Sequence, residues 1–187
     1  MRQTTSTILM VRPASFGFNA ETAVNNAFQG KLDLTAEIIQ QRAEAEFDTF
    51  VEKLRKEGVD VLMIQDSQLP AKPDAVFPNN WFCSLPDGRI HLFPMYAPVR
   101  RLERRKEIIE TISKGFGVTE VIDWSSAENR EQILEGTGSI IFDHIHRLAF
   151  ACLSPRTNAR LMRRFCLQTG YSPILFPSED ENGMLIY

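Results

Sequence analysis

Two stretches of this sequence follow one plan, and that plan limits the fold more than any other feature. Residues 81–93 and 139–153 each hold two short β-prone runs around a turn. The turns are Pro86-Asp87-Gly88 and Asp143-His144-Ile145-His146, so each stretch reads as a hairpin. Helix-spaced apolar residues follow each hairpin: Ile108, Ile109, Ile112 and Phe116 in the first case, Leu161, Met162 and Phe165 in the second. A further apolar run, 118–122 or 173–176, then reads as a strand. Hairpin, helix and strand, used twice, predict an α/β architecture with an internal repeat of about 60 residues. Upstream, residues 7–11 read as a buried strand that Arg12-Pro13 ends. Ile39, Ala43, Phe47, Phe50 and Leu54 mark one face of a helix that Gly58 stops, and residues 59–64 read as the next strand. Residues 14–33 read as irregular, a loop long enough to be functional or partly helical.

Composition narrows the function classes. Of 187 residues, 43% are hydrophobic and 24% charged, as in a globular protein with a core. A net charge of −3 argues against a general nucleic-acid binder. No apolar run approaches the roughly 18 residues of a membrane span, and the N-terminus lacks the pattern of a signal peptide. Cys83, Cys152 and Cys166 form neither a disulfide framework nor a paired zinc spacing, so a reduced cytoplasmic setting and no metal site are expected. All three lie in apolar contexts and read as core thiols. His144 and His146 could face one way on a strand as metal ligands, but a hairpin tip predicts that they are exposed. His91 alternates with apolar strand residues and is expected to face solvent or to cap its hairpin.

The unusual charges lie between the first hairpin and its helix. Arg100, Arg101, Arg104 and Arg105 stand where that helix is expected to begin, and Arg156 follows Ser154-Pro155, which reads as the start of the third helix. Cations there oppose the helix dipole by a few tenths to about 1 kcal/mol each. Long side chains that swing into solvent would explain Arg104 and Arg105. Arg100 and Arg156 occupy equivalent places in the repeat, where two helix starts could converge into a carboxylate clamp. Asp74, Asn79 and Asn80 precede the first hairpin, either as ordinary turn residues or, between Phe77 and Trp81, as a buried amide needing partners. In the second unit Leu134-Glu135-Gly136-Thr137-Gly138 takes the corresponding place, and a carboxylate among glycines suits a turn or a close ligand approach.

Three of these pieces, PDAVFPNNWF with PMYAPVRRLERR, LEGTGSIIFDH, and CLSPRTN, resemble in order and spacing the arginine deiminase and amidinotransferase superfamily. These are the guanidine-modifying penteins, built as a five-bladed α/β propeller. The opening MVRPASFGFNAETAVNNAFQ further resembles a citrulline-hydrolysing branch. The resemblance spans the whole chain and about the first three blades. It implies that residues 1–187 are the N-terminal part of a single domain, an incomplete propeller of repeated ββαβ units.

The resemblance also implies roles. Asp74 would bind a substrate α-amino group, and Arg100 and Arg156 its α-carboxylate. Asn80, with Asn79 beside it, would meet the guanidino or ureido end, and Glu135 would be the catalytic carboxylate. Phe16 or Phe18 would lie near the site. The family adds a proton-shuttling His and a nucleophilic Cys, both C-terminal to the stretch matched here, and needs no cofactor. Since the sequence breaks off at Ile186 and Tyr187 in what reads as mid-strand, the chain is expected to stop before that His and to be inactive alone.

Two departures bear on substrate. Most arginine-directed relatives carry Asp where this chain has Asn80, and EGTGS replaces EGGD. A neutral ureido group suits an asparagine amide, which favours citrulline. An arginine or methylarginine hydrolase, an amidinotransferase, or a non-catalytic binding protein on the same fold remain the alternatives. The expected partner is a small amino acid, with neither nucleic acid nor membrane; a homodimer is left open.

Overall fold

The computed structural model describes residues 3–23 and 29–179. It divides into two compact units, Thr4–Pro78 and Asn79–Tyr187, the latter taking in Met1–Gln3. The expected strand at Ile186 and Tyr187 lies outside the described residues.

In the Thr4–Pro78 unit, β1 (Thr7–Arg12) leads through a one-turn helix, α1 (Ala20–Ala23), to α2 (Ala36–Lys56). Strand β2 (Asp60–Gln65) then pairs in parallel with β1, from Thr7 opposite Asp60 to Arg12 opposite Gln65. Parallel pairing needs a crossover, and α2 supplies it. The Thr35 hydroxyl caps α2 by accepting from the Ile38 N–H. At the other end Gly58 takes φ +82°, the left-handed turn that a glycine adopts without strain. Arg12 fastens strand to helix through Asp48 (2.8 Å) and Glu44 (3.2 Å).

After β2, one ammonium group is fully enclosed. Lys72 Nζ donates to the Ser67 carbonyl (3.1 Å), the Ser67 hydroxyl (2.9 Å) and the Pro70 carbonyl (2.9 Å), with the Asp66 carboxylate 3.4 Å away. Its side chain is 1% exposed. A charge removed from water in this way is tolerable only with a counter-charge and saturated hydrogen bonds.

The Asn79–Tyr187 unit bears out the repeat. Strands β3 (Phe82–Ser84) and β4 (Arg89–Leu92) form a hairpin with Cys83 opposite His91. A one-turn helix α3 (Pro98–Arg101) and then α4 (Lys106–Gly115) lead to β5 (Glu120–Asp123), which pairs in parallel with β4. The second round begins with a short turn α5 (Gly136–Ser139). The hairpin of β6 (Ile140–Asp143) and β7 (Leu148–Cys152) follows, then α6 (Ala159–Thr169), and β8 (Ser172–Phe176) pairs in parallel with β7. Sheet orders β3-β4-β5 and β6-β7-β8 are thus the same ββαβ topology used twice.

Phe165 on α6 joins the two rounds. Fully buried, it meets His91, Phe93 and Trp124 of the first round and Phe142 of the second, at centroid separations of 5.1, 5.5, 5.9 and 6.0 Å. His91 therefore neither faces solvent nor caps its hairpin, as its alternation in sequence suggested. It is 0% exposed, with Nδ1 accepting from the Trp124 indole N–H at 3.1 Å. Ile90 and His91 lie on opposite faces of β4 and are both 0% exposed; the strand is covered on both sides, so alternation carries no polarity.

Two helix starts differ from expectation. Ser154 and Pro155 form a tight turn closed by the Thr157 N–H on the Ser154 carbonyl, and Asn158 is the cap of α6, its side chain accepting from the Leu161 N–H at 3.0 Å. Helix α4 begins at Lys106, so Arg100 and Arg101 end the separate turn α3, where cations suit the dipole. Among the described residues no helix is long and apolar enough to cross a membrane.

Candidate functional site

Glu135 is the centre of a small polar constellation. Its residue is 1% exposed, and both carboxylate oxygens are engaged: Oε1 accepts from the Tyr96 N–H at 2.9 Å and Oε2 from Asn80 Nδ2 at 3.2 Å. Arg156 Nη1 is 3.9 Å from Oε2. The backbone brings the last two together, since Leu134 bridges to Thr157 and the Glu135 N–H donates to the Arg156 carbonyl at 3.3 Å. The Ser139 hydroxyl donates to that same carbonyl at 2.9 Å. A carboxylate so fixed can accept N–H donors or a proton from a ligand without first having to be oriented.

The glycines around it have a steric cause. Gly136 has φ +40°, and a Cβ there would meet the Asn79 carbonyl oxygen, with the Asn80 carbonyl 3.0 Å and Phe93 3.1 Å away. A Cβ on Gly138 would run into the Asn80 side chain, 2.9 Å from its Cγ. The pattern Glu135-Gly136-Thr137-Gly138 is therefore what lets the Asn80 amide reach the carboxylate. Asn79 is exposed and lends its carbonyl to the Thr137 hydroxyl at 3.4 Å. The picture of an amide buried among aromatics does not hold: Trp81 is buried, but Phe77 is half exposed and Asn80 lies against glycines.

Each arginine of the cluster has a carboxylate. Arg100 makes a two-pronged, buried pair with Glu103, both bonds 2.9 Å. Arg101 and Arg104 share Glu128, and Arg105 pairs with Glu107 at 2.6 Å. Arg104 and Arg105 are thus not solvent-directed. Glu103 and Glu107 are visible in the sequence beside the arginines; Glu128, more than twenty positions on, is not.

Asp74, Phe16 and Phe18 belong to the Thr4–Pro78 unit. Asp74 accepts from Asn19 Nδ2 at 2.7 Å and from the Thr22 hydroxyl at 3.4 Å. The Phe16 N–H donates to Gln40 Oε1 at 2.7 Å, and Phe18 is 43% exposed. Two of the three thiols are poor nucleophiles: burial pushes Cys83 up to about 12 and Cys166 up to about 11. His144 bonds the Tyr171 hydroxyl (2.6 Å) and His146 the Asp143 carboxylate (2.7 Å), so the two do not act as a pair. Among the described residues no group of three or more His, Cys, Asp or Glu side chains could hold a metal.

The chain, a mixed α/β fold of repeated ββαβ units, belongs to the guanidino-modifying pentein superfamily. Within it the chain belongs to the family described as N,N dimethylarginine dimethylhydrolase, eukaryotic, whose model matches residues 12–187. Solved structures agree on the fold. The N-terminal domain of ArgZ, an arginine dihydrolase from the ornithine–ammonia cycle in cyanobacteria, solved bound to substrate, has 19% identity and a TM-score of 0.66, over 96% of this chain and 60% of that one. DDAH from Pseudomonas aeruginosa, solved with citrulline, has 20% identity and a TM-score of 0.62, over 93% and 61%. AgrE with L-arginine has 18% identity and a TM-score of 0.71, over 96% and 24%. This chain therefore spans about 60% of the length of the first two. No curated protein matches it.

Proposed function

We propose that this chain forms the substrate-holding part of a hydrolase acting on the guanidino or ureido group of an amino acid, with Glu135 as its catalytic carboxylate. The observation that carries the reading is the Glu135 constellation: an immobilised carboxylate with an asparagine amide on one side and an arginine on the other. Glu135 accepts N–H donors from the planar head group and so orients and polarises it. Asn79 and Asn80 flank that head group, and Arg156 with Arg100 holds the α-carboxylate, for which Arg100 has to exchange its buried pair with Glu103. Asp74 is the residue that the resemblance assigns to the α-amino group, and Phe16 or Phe18 those it assigns to the neighbourhood of the site. The nucleophilic Cys and the proton-carrying His come from polypeptide outside these residues, a view supported by the high thiol values of Cys83 and Cys166. On this reading each ββαβ unit is a propeller blade and residues 1–187 are the N-terminal part of one domain. The complete protein is a cytoplasmic enzyme, and a homodimer is compatible with it.

Between head groups, one contact favours the guanidino substrate over citrulline. Asn80 gives one N–H to Glu135 Oε2, which leaves its carbonyl, beside the carboxylate, as an acceptor for a ligand together with its second N–H. An acceptor beside a carboxylate suits a head group rich in N–H donors. Calorimetric titration of the chain with L-arginine, an N-methylated arginine and L-citrulline tests this, with the guanidino ligands expected to bind more tightly. Asn80→Asp adds a second negative charge at the head group and should raise the arginine-to-citrulline affinity ratio about tenfold. An unchanged ratio, or tighter binding of citrulline by the unaltered chain, would sink the preference for a guanidino substrate.

A further inference from the structure

The Tyr96 N–H that holds Glu135 belongs to a stretch whose backbone polar groups are all spoken for. From residue 93 to 96, the Phe93 N–H donates to the Trp81 carbonyl, and the Phe93 carbonyl accepts from Arg104 Nη1 (3.3 Å). The Pro94 carbonyl accepts from the Leu134 N–H (3.4 Å), and the Met95 N–H donates to Glu128 Oε1 (2.8 Å). Arg101 reaches the Met95 carbonyl with Nε (3.1 Å) and the Tyr96 carbonyl with Nη2 (3.4 Å). Glu128 in turn bridges the two arginines, at 3.2 Å from Arg101 and 2.6 Å from Arg104.

Because a peptide unit is planar, the Met95 carbonyl and the Tyr96 N–H are two ends of one rigid plate and point opposite ways. Arg101 grips one end and Glu135 the other. The preceding plate, Pro94 carbonyl to Met95 N–H, is gripped by Leu134 and Glu128. Neither plate can turn without breaking a charged hydrogen bond. The charges also alternate along the line, from the Glu128 carboxylate through the Arg101 guanidinium and the peptide to the Glu135 carboxylate. A cation on the carbonyl oxygen and an anion at the N–H polarise the amide in the same sense, which strengthens the N–H as a donor.

We propose that Glu128 and Arg101 are positioning residues for Glu135: through the Met95–Tyr96 peptide they set where the carboxylate points. The claim rests on the reading of Glu135 as the group that meets the ligand head, and it adds two residues that touch neither ligand nor Glu135 itself. Glu128 is 10% exposed at its side chain and Arg101 35%, so both are reachable by substitution without emptying the core.

The test uses the 187-residue chain with two substitutions. Glu128→Gln keeps an acceptor for the Met95 N–H and removes the counter-charge of Arg101 and Arg104. Arg101→Met removes the donors to the Met95 and Tyr96 carbonyls and leaves the Met95–Glu128 bond. In each variant amide exchange at Tyr96 should quicken by about tenfold or more, while exchange at Ile90 and Phe165 in the core keeps its rate. Affinity for L-arginine should fall about tenfold in step. Asp87→Asn, which breaks a charged pair on a hairpin turn, should change neither. Exchange that quickens equally at Tyr96, Ile90 and Phe165 would make the clamp a stability element only and overturn the proposal, as would unchanged exchange at Tyr96. If the unaltered chain binds none of the three ligands, the reading of the site fails, and the Tyr96 measurement still decides the positioning claim.

Discussion

The two ββαβ rounds share a topology and treat local rules differently. In the second round, α6 has a side-chain cap at Asn158 and a left-handed Gly170 at its end, as a helix should. In the first round, α4 begins at Lys106 with Arg105 at its cap position making no side-chain bond, shortly after α3 and among a run of arginines. The arginines of the first round compensate by finding carboxylates and backbone carbonyls, so order there rests on charge rather than on propensity. Such departures from local consistency mark the places where a structure serves something besides its own stability. Here they lie in the segment that holds Glu135.

The contrast can be broken at the point where the rounds meet. Gly136→Ala would force a Cβ against the Asn79 carbonyl at a residue with φ +40°. Backbone strain together with the overlap should cost roughly 3 kcal/mol or more, read as a shift of the urea midpoint. A loss below about 1 kcal/mol would mean that the approach of residues 79–80 to the turn is loose.

Acid sharpens it next. Burial lowers His91 to about 4, from an ordinary value near 6.5; Arg89 lowers it further and Asp87 opposes, while the Cys83 thiol across the hairpin is neutral. The unfolded chain therefore takes up this proton first as pH falls. Stability is full above about pH 6.5 and is lost down to about pH 4, by about 3 kcal/mol in all. His144 in the second round is also lowered, by burial first and then by Arg147, so it adds to the same trend. Urea midpoints compared at pH 7 and 4.5 should show that His91→Phe removes most of the acid loss and His144→Phe less of it. Equal losses in the unaltered chain and in His91→Phe would refute the assignment.

The smallest effect compares the helix starts directly. Asn158→Ala should cost about 1 kcal/mol, whereas Arg105→Ala, at a position with no capping bond, should cost only a few tenths. Matching losses in thermal unfolding would mean that the two starts are equally supported.

Much of this was legible in the chain. The turn at Pro86-Asp87-Gly88, the apolar faces of α4 and α6, and Gly58 and Gly170 as helix ends all follow from short-range chemistry, and the structure keeps them within a residue or two. The approach of Asn80 to Glu135 could be guessed from glycines beside a carboxylate. Three things could not be read. Tyr96 contributes a backbone N–H, which no side-chain pattern announces. Glu128 meets Arg101 and Arg104 across more than twenty residues of chain. His91 is buried because α6 from the next round covers its strand, a fact of tertiary packing that the alternation in β4 does not hold.

The enclosure of Lys72 has a consequence for chemistry done on the protein from outside. An ammonium has three N–H donors, and those of Lys72 are spent on Ser67 and Pro70 beneath a 1% exposed surface. The other five lysines, Lys31, Lys53, Lys56, Lys106 and Lys114, are exposed. To a cross-linker or a resin coupled through lysine, the folded chain therefore offers five lysine amines. The sixth lysine becomes reactive only when the loop between Asp66 and Lys72 opens.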